Sequence, residues 1–378
     1  MPQSVELSAP LLEHFKTLED PRAEHLLEHE LLDIIGLTIC AVVCGADTWV
    51  DIENYGDAKQ EWLKGFLRLP NGIPSHDTIA RLFAALDPKA LQECFLSWVR
   101  AVAQLSQGEV IAIDGKTLRH SYDTGRGKGA IHMVSAWATQ NRLVLGQLKV
   151  DAKSNEITAI PQLLEVLDLN GCIVTIDAMG AQKDIAKQII EAGGAYVLSL
   201  KGNQGNIHQD VAQLFEWTRK SHFKEIPHEF HQTIDAAHGR VEIRRHWLLD
   251  RVEHLIDAHL WTGLQRVGLV ESERRLAGQA PTIEQRYYLV SLDGRVQRFA
   301  HAVRSHWGIE NQVHWILDVA FDEDASRVRK DHAPENLALI RHVALNLLRQ
   351  ETVAKGGIKA KRLKAGWDNA YLSRLLST

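Results

Sequence analysis

The sequence predicts a mixed α/β fold, in which a helical N-terminal domain precedes a domain built on a five-stranded mixed sheet. Apolar residues recur at helical spacing in residues 26–44, 49–66 and 88–102, which is typical of helices with one buried face. From Glu109 onward the pattern changes to short apolar runs rich in β-branched residues, which favours strands. The composition, 45% hydrophobic and 24% charged over 378 residues, is that of an ordinary globular protein with room for a large core.

The N-terminal domain, residues 1–106, contains two helical patterns separated by a Pro/Gly turn. The turn is PNGIP at 70–74, and Ser75 follows it as a natural N-cap. This arrangement suits a helix-turn-helix that reads DNA, and it equally suits two helices that pack in a bundle. We therefore predict a helical domain and keep both interpretations of the pair open.

The order of elements in the second domain, residues 107–350, indicates the type of sheet. Three consecutive strands are followed by a helix, a strand, a helix and a strand, which is the RNase H-like order, with helices on the faces of a mixed sheet. The predicted strands are 110–113, 131–138, 143–150, 173–176 and 195–200, and the predicted helices are 154–167 and 181–192.

Three further segments complete the predicted organisation. Residues 206–285 contain polar, His-rich and strand-like stretches and are predicted to form a strand-rich insertion, whereas residues 295–350 are helical again. Residues 351–378 form a basic C-terminal tail, because residues 355–378 carry six basic side chains and one acidic one. Such a tail suits contact with DNA or a solvated surface.

Two buried strands of the predicted sheet run directly into an acid. Residues 110–113 are followed by Asp114, and residues 173–176 are followed by Asp177. Because these strands are neighbours in the RNase H-like order, the two carboxyl groups can lie side by side at one edge of the sheet. Two like charges about 4 Å apart repel by about 4 kcal/mol at an effective dielectric of about 20, so either one carboxyl is protonated or a cation separates them.

A third acid, Glu310, occurs within an apolar helical stripe. Val303 lies seven residues before it and Leu317 seven residues after it, so a regular helix would turn Glu310 toward the core. A carboxylate in that position is costly unless it is paired or bound to a metal. The pattern therefore predicts an inward-facing acid that needs a partner.

A single site would account for all three acids. Carboxylate oxygens suit Mg²⁺ or Mn²⁺, and two such ions would more than offset three negative charges. A pair of divalent ions activates the attacking oxygen and stabilises the leaving oxygen in phosphodiester chemistry. The alternative is that each acid caps a helix or salt-bridges a strand end to a loop.

The triplet Gly115-Lys116-Thr117 follows the first acid but is not a nucleotide-binding loop. Such a loop needs a glycine five residues before the Gly-Lys pair, and that position is Val110. Lys116 and Arg119 are instead predicted to contact a phosphate backbone.

With these residues assembled, the chain resembles the DDE transposases of bacterial insertion sequences, most closely their H-repeat-associated group. The resemblance covers nearly the whole chain. Its motifs are LTICAVVCGADTWVDIENYG, NGIPSHDTIAR, VIAIDGKTLRHSYD, KSNEITAIPQLL, TIDAMGAQKDIA, LKGNQG, HGRVEIR and HWGIENQVHWILDV. It implies an RNase H-like catalytic domain with an insertion before the helix of the catalytic Glu, Mg²⁺-dependent cleavage at element ends, and strand transfer into target DNA. Asp114, Asp177 and Glu310 match the DDE triad.

The surroundings of Glu310 depart from the wider clan. That clan usually has Tyr seven residues before the Glu, Arg four before and Lys seven after, whereas this chain has Val303, His306 and Leu317. This chain therefore lacks the residues that usually form the phosphate clamp. The candidates to replace it are Arg304, His306, His314 and the run 327–330, with solvation of a helix surface as the alternative.

Further DNA contacts are predicted at a strand end and in the insertion. Lys201, Asn203 and Gln204 end a strand at the same edge as the acids. The insertion contributes His238, Arg240, Arg244 and Arg245. Hairpin-turn chemistry is the alternative for both sets. Glu156 follows Asn155, a natural cap, and is predicted to support the first turn of a helix.

These observations predict a DNA transposase with two Mg²⁺ or Mn²⁺ ions, acting on element ends and target DNA as a homo-oligomer. The start of the chain lacks a signal peptide and the longest apolar stretch is too short for a bilayer, so the expected location is the bacterial cytosol, on DNA. The alternatives are a metal-dependent nuclease on the same fold that does not join strands, and a non-catalytic DNA-binding remnant of a transposon.

Overall fold

The computed structural model describes residues 10–122, 129–150, 156–224, 226–237 and 239–377. The first hundred residues of that range are helical, as predicted. The helices are α1 (Pro10–Glu13), α2 (Leu31–Val43), α3 (Trp49–Leu63), α4 (His76–Ala85) and α5 (Pro88–Val102). None of the helices in the described part of the chain is long and apolar enough to cross a membrane.

The ends of these helices follow from their capping residues. Thr48 and Asp51 form a capping box at the start of α3, and the Ser75 side chain accepts a hydrogen bond from the Thr78 amide at the start of α4. Pro88 is the first residue of α5, where its missing N–H costs nothing. Helix α2 is buried nearly all round, so it forms the centre of the helical region.

The predicted order of strands and helices is present after residue 109. The strands are β1 (Val110–Thr117), β2 (His132–Ala138), β3 (Leu143–Val150), β4 (Ile173–Ile176) and β5 (Ala195–Leu200), with α6 (Glu156–Glu165) and α7 (Lys183–Glu191) between the later ones. They lie side by side in the order β3-β2-β1-β4-β5. β4 runs parallel to both β1 and β5, whereas β1, β2 and β3 form an antiparallel meander.

The prediction of a five-stranded sheet is wrong, because the sheet has nine strands. The insertion contributes α8 (Asn206–Lys220), β6 (His228–Ala237), β7 (Arg240–Leu249), β8 (Arg266–Leu276) and β9 (Thr282–Val290). β9 pairs antiparallel with β5, and the order continues β5-β9-β8-β7-β6. An open edge at β5 would leave a row of unpaired backbone groups, so the insertion extends the same sheet and satisfies them.

The helices after the insertion cover the sheet and join it to the N-terminal region. They are α9 (Val296–Ile309), a π-helical turn at Glu310–His314, α10 (Trp315–Phe321) and α11 (Ala333–Gln350). Nearly every residue of α11 is buried, and this helix packs against α2 on one side and β3 on another. The Asn346 side chain pairs with both the amide and the carbonyl of Val144, which ties α11 to the edge strand β3.

The C-terminal segment is helical and packed, which differs from a solvated basic tail. It forms α12 (Ile358–Trp367) and α13 (Asn369–Leu376), whose buried side chains include Tyr371 and Leu372. Lys361 and Arg362 are buried and donate to backbone carbonyls, whereas Lys355, Lys359 and Arg374 stay exposed. Lys361 and Arg362, which were predicted to belong to a basic tail, therefore stabilise the fold.

Candidate active site

Asp114 and Asp177 stand at the same end of two neighbouring parallel strands. The register of β1 and β4 pairs Ile113 with Ile176, so the residue after each pair is an acid. The side chains of consecutive residues alternate across a sheet, which turns both acids to the same side of the strand ends. β1 continues to Thr117 beside β2, which makes it longer than the sequence predicted.

The three predicted acids line one cavity. Asp114, Asp177 and Glu310 surround a space of about 140 Å³ between the ends of β1, β4 and β5 and the helix α9. Its other walls are formed by Thr175, Ile176, Val197, Ser199, Lys201, Arg286, Tyr288, Val303, His306 and Trp307. The structure therefore brings together side chains that lie almost two hundred residues apart in the chain.

The prediction that Glu310 faces the core is wrong, because its side chain is exposed at the cavity. Val303 and Leu317 are buried as the stripe predicted. Glu310 begins the π-helical turn, in which each N–H reaches back five residues instead of four. The turn begins only at Glu310, and Val303 and Glu310 line the same cavity, so the predicted helix face is kept and opens onto the cavity at Glu310 instead of into the core.

The carboxyl group of Asp114 is destabilised in its charged form. Burial is the main cause, and the negative charges of Glu156, Asp177 and Glu310 add to it, so the pKa of Asp114 rises to about 7. A backbone hydrogen bond from Gly115 opposes this shift. The carboxyl therefore has too little compensating positive charge in the ion-free protein.

Glu156 is a fourth acid beside this site that the sequence reasoning did not assign to it. Its Oε1 lies 2.6 Å from the Nε2 of His132, and its charge acts on Asp114. A Cβ at position 115 would collide with the Glu156 carboxylate and with His132, which explains why Gly115 stands there. The sequence indicated that Glu156 lies at the start of the helix after β3. It gave no indication that Glu156 lies close to Asp114. The predicted cap, Asn155, lies outside the described residues.

The loop after Asp177 is held by side chains that the sequence predicted as DNA contacts. The Oδ1 of Asp177 accepts hydrogen bonds from the amides of Met179, at 2.9 Å, and Gly180, at 3.3 Å. Asn203 and Gln204 both donate to the carbonyl oxygen of Ala178. Asn203 therefore positions this loop, whereas Lys201 is exposed and lines the cavity.

The two histidines near Glu310 are buried and neutral. Burial lowers the pKa of His306 to about 4, and its Nδ1 lies 3.0 Å from the Oγ1 of Thr175. Burial also lowers the pKa of His314 to about 3, and its Nδ1 lies 3.5 Å from the Oδ2 of Asp114. Neither ring carries a positive charge at neutral pH, so a phosphate clamp based on charge has to come from another residue.

Lys116 lies in a buried ion-pair network, which differs from the predicted phosphate contact. Its Nζ pairs with Asp318 and with the Oε2 of Glu323, at 3.0 Å for the latter. The Lys116 side chain is 11% exposed and that of Glu323 is 2% exposed. This network links β1 to the helix that follows Glu310 and thereby fixes the third acid relative to the first.

Replacing Lys116 with Met is expected to lower the free energy of unfolding by about 3 kcal/mol, since the buried Glu323 carboxylate and the half-buried Asp318 carboxylate would lose their cation. Urea denaturation measures this change. The matched control is Lys187→Met, which removes an exposed lysine from an i,i+4 pair with Glu191 and should change stability by less than about 0.5 kcal/mol. Equal effects of the two substitutions would contradict the prediction.

The remaining predicted DNA contacts lie outside the acid cavity. Arg119 is mostly exposed and pairs with Asp324 at 3.2 Å. Arg240, Arg244 and Arg304 line a groove beside the cavity. Arg245 instead pairs with Glu271 and Glu273, and residues 327–330 line a separate cleft against the N-terminal helices. His238 lies outside the described residues.

One cationic residue of the cavity was missed. Arg286, on β9, lines the cavity directly, and its guanidinium lies over the Trp307 ring at 4.4 Å. Its sequence context, an alternating strand in the insertion, carried no signal for a site. Only the pairing of β9 with β5 brings Arg286 to the acids.

The donor set of the cavity suits a hard divalent cation. All three predicted ligands are carboxylates, which Mg²⁺ and Mn²⁺ prefer, and burial, with a further effect of nearby negative charges, raises the pKa of Asp114. Within the described ranges, no three His, Cys, Asp or Glu side chains are already close enough to enclose an ion. The chemistry of the residues fits such ions.

The contribution of Asp114 to stability is expected to fall as the pH rises from about 4 to about 7. In this window Asp114 is ionised in the unfolded chain but keeps its proton in the folded state, so the folded state binds more protons. Asp114→Asn removes the titration and should be more stable than wild type by roughly 4 kcal/mol above pH 7, with no difference below about pH 4. Thermal melts in EDTA over this pH range measure the difference. A constant difference at every pH would contradict it.

Comparison with known proteins gives consistent matches over the chain. Two family models match it, "DDE_Tnp_1-associated" over residues 12–99 and "Transposase DDE domain" over residues 105–347. The H repeat-associated protein YhhI of Escherichia coli (strain K12) is 43% identical over 374 residues, covering 97% of each chain. YncI of Escherichia coli O157:H7 is 43% identical over 371 residues, covering 97% of this chain and 94% of that one. The solved piggyBac transposase synaptic complex with hairpin DNA covers 97% of this chain and 80% of that chain, at 12% identity and a TM-score of 0.44.

Proposed function

Because the chain belongs to the transposase DDE domain family and to its H repeat-associated group, we propose that it cuts DNA at the ends of an insertion sequence and joins those ends to target DNA. The observation that carries this proposal is the single cavity lined by Asp114, Asp177 and Glu310. Three carboxylates from distant parts of the chain repel each other there. A protein gains from such a costly arrangement only if it uses their charge. DNA is the proposed partner, and the active complex is proposed to be a homo-oligomer.

Asp114 and Asp177 would hold two Mg²⁺ or Mn²⁺ ions, and Glu310 would complete the set of ligands. The chemistry that such ions supply is activation of the attacking oxygen and stabilisation of the leaving oxygen. The hydrogen bonds from Met179 and Gly180 orient Asp177, and the π-helical turn presents Glu310 to the cavity. Exposed Glu310 can move toward the other two acids without breaking core contacts.

The proposed reaction has two steps at phosphorus. In the first, a water oxygen bonds to the phosphorus of the scissile phosphodiester while the bond to the 3′-oxygen breaks, and the 3′-oxygen leaves as a hydroxyl. In the second, that 3′-hydroxyl attacks a phosphodiester of target DNA and releases the target's own 3′-hydroxyl. Both steps need in-line placement of the attacking and leaving oxygens. The neutral rings of His306 and His314 can donate or accept hydrogen bonds here without adding charge.

The experiment that tests the proposal uses the whole purified chain with Mg²⁺ and a duplex that carries the DNA flanking its own reading frame. A supercoiled plasmid serves as target. We expect both cut element ends and plasmid molecules covalently joined to them. Cut ends without joined products would support a nuclease, and neither product with tight DNA binding would support a non-catalytic remnant.

A further inference from the structure

A groove with five arginines begins where the acid cavity ends. This arginine groove has a volume of about 460 Å³ and lies between the strands β7, β8 and β9 and the helix α9. Its basic residues are Arg240, Arg244, Arg274, Arg286 and Arg304, and its acidic residues are Glu242, Glu273 and Glu284. Positive charge therefore exceeds negative charge along its walls.

The period-two pattern of the strands explains why so many arginines share one face. Residues 240, 242, 244 and 246 of β7 and residues 282, 284, 286 and 288 of β9 line the groove, as expected for alternating side chains. Arg219, Arg245 and Arg275 instead pair with Glu271 or Glu273. In the described part of the chain, Arg274 and Arg304 make no ion pair and both are exposed, so their charge is available to a ligand.

The groove and the cavity share one wall. Arg286, Tyr288, Val303 and Trp307 line both spaces, so a ligand that leaves the cavity passes directly into the groove. The guanidinium of Arg286 lies over the Trp307 ring at 4.4 Å, and its Nε donates to the Oε1 of Glu284 at 2.8 Å. These two contacts fix the plane of the guanidinium at the boundary between the cavity and the groove. The Arg286 side chain is about one-third exposed there.

A phosphodiester in the cavity needs positive charge from the protein as well as from ions. The permanent cations among the described residues of its wall are Lys201 and Arg286, because burial keeps His306 neutral. A planar guanidinium can donate two parallel hydrogen bonds to phosphate oxygens, which a lysine cannot do. Arg286 lines the same cavity as His306, the predicted clamp position on α9, and so it supplies from the sheet a charge that this position lacks.

We propose that Arg286 binds the phosphate adjacent to the scissile bond and that the arginine groove holds the backbone of the same DNA strand as it leaves the cavity. This inference rests on the proposed function and names the path of its substrate. A cavity of about 140 Å³ has room for one phosphodiester linkage and no room for a base pair, so the path is that of a single strand. The exposed Arg274 and Arg304 contact successive phosphates further along the groove.

The test measures binding of a fluorescein-labelled thymidine oligonucleotide of 15 nucleotides by anisotropy at several salt concentrations. It uses the full chain carrying Asp177→Asn, so that cutting does not interfere. Arg286→Gln is expected to weaken binding about 10-fold at low salt and to reduce the slope of log affinity against log salt by about 0.7, the value for one phosphate contact on a single strand. Arg304→Gln should reduce the slope similarly.

The matched control is Arg275→Gln. Arg275 follows Arg274 on β8, is 54% exposed, and does not line the groove, so this variant removes the same charge from a different place. We expect less than a 2-fold change and an unaltered slope. Equal losses from Arg275→Gln and Arg286→Gln would overturn the inference, because binding would then depend on total charge alone.

Two further measurements separate the possible failures. Stabilisation by Mn²⁺ in thermal melts, measured without Asp177→Asn, should be retained by Arg286→Gln, since Arg286 is not a proposed ligand; its loss would show a collapsed site and overturn the assigned role. If wild type cuts and joins DNA while Arg286→Gln binds and reacts as wild type does, the inference fails and the proposed function stands. If wild type neither cuts nor joins DNA but Arg286→Gln still reduces the slope of log affinity against log salt by about 0.7, the groove binds DNA and the proposed function fails.

Discussion

Replacing Asp177 with Asn is expected to reduce DNA cleavage by roughly 1,000-fold, which corresponds to about 4 kcal/mol of lost transition-state stabilisation. The substitution removes the negative charge that would hold a divalent ion in the cavity. It keeps the local fold, because the Oδ1 that accepts from Met179 and Gly180 is present in Asn as well. Loss of activity would therefore report on charge and not on a displaced loop.

Cleavage of the element-end duplex in Mg²⁺ and in Mn²⁺ measures this effect, and oligonucleotide binding shows whether the variant still engages DNA. Asp184→Asn is the matched control, because Asp184 is an exposed acid in the first turn of α7, a few residues further along the chain. Its activity should stay within about 2-fold of wild type. Cleavage by Asp177→Asn at the wild-type rate would rule out the assigned metal ligand and would point to another site for any nuclease activity.

Replacing Arg362 with Ala is expected to lower the free energy of unfolding by about 3–5 kcal/mol. The guanidinium is 4% exposed and donates to the carbonyls of Val42, Ala46 and Ala320 and to the Oδ1 of Asp47. It also lies over the Phe321 ring at 4.2 Å. Removal would leave these buried acceptors unsatisfied at the point where α12 joins the N-terminal helices to α10.

Urea denaturation followed by circular dichroism measures this loss. Lys359→Ala provides the control, since Lys359 is an exposed cation three residues earlier on the same helix. It should change the unfolding free energy by less than about 0.5 kcal/mol. If both substitutions cost the same small amount, the buried arginine is not a main link between the C-terminal helices and the rest of the fold.

The features that sequence reasoning predicted well depend on short stretches of chain. Apolar runs that end in an acid predicted the strand ends at Asp114 and Asp177, and the parallel pairing of β1 with β4 places these residues side by side. Ser75 caps α4 as its position after the turn predicted. In each case the signal and the structure it specifies lie within a few residues, so local propensity is sufficient.

The features that sequence reasoning missed depend on contacts between distant segments. The predicted number of strands in the sheet was wrong because nothing in the sequence of residues 282–290 indicates that this strand pairs with β5. Glu310 was predicted to face the core, but the helix face that it shares with Val303 opens onto the cavity. Lys116 was predicted to contact a phosphate backbone, but it forms ion pairs with two acids more than two hundred residues later in the chain.

The sequence by itself determined the family, the order of strands and helices, and the three acids that converge at one edge of the sheet, because these follow from periodicity, from strand ends and from long motifs. Only the tertiary structure decided which charged side chains face the cavity. Arg286 lines it and Glu156 acts on Asp114 from beside it, while Lys116 and Asn203 bind other partners. The reason is that a side chain's direction and its ion pairs are set by the packing of segments far apart in the chain, which no local pattern encodes.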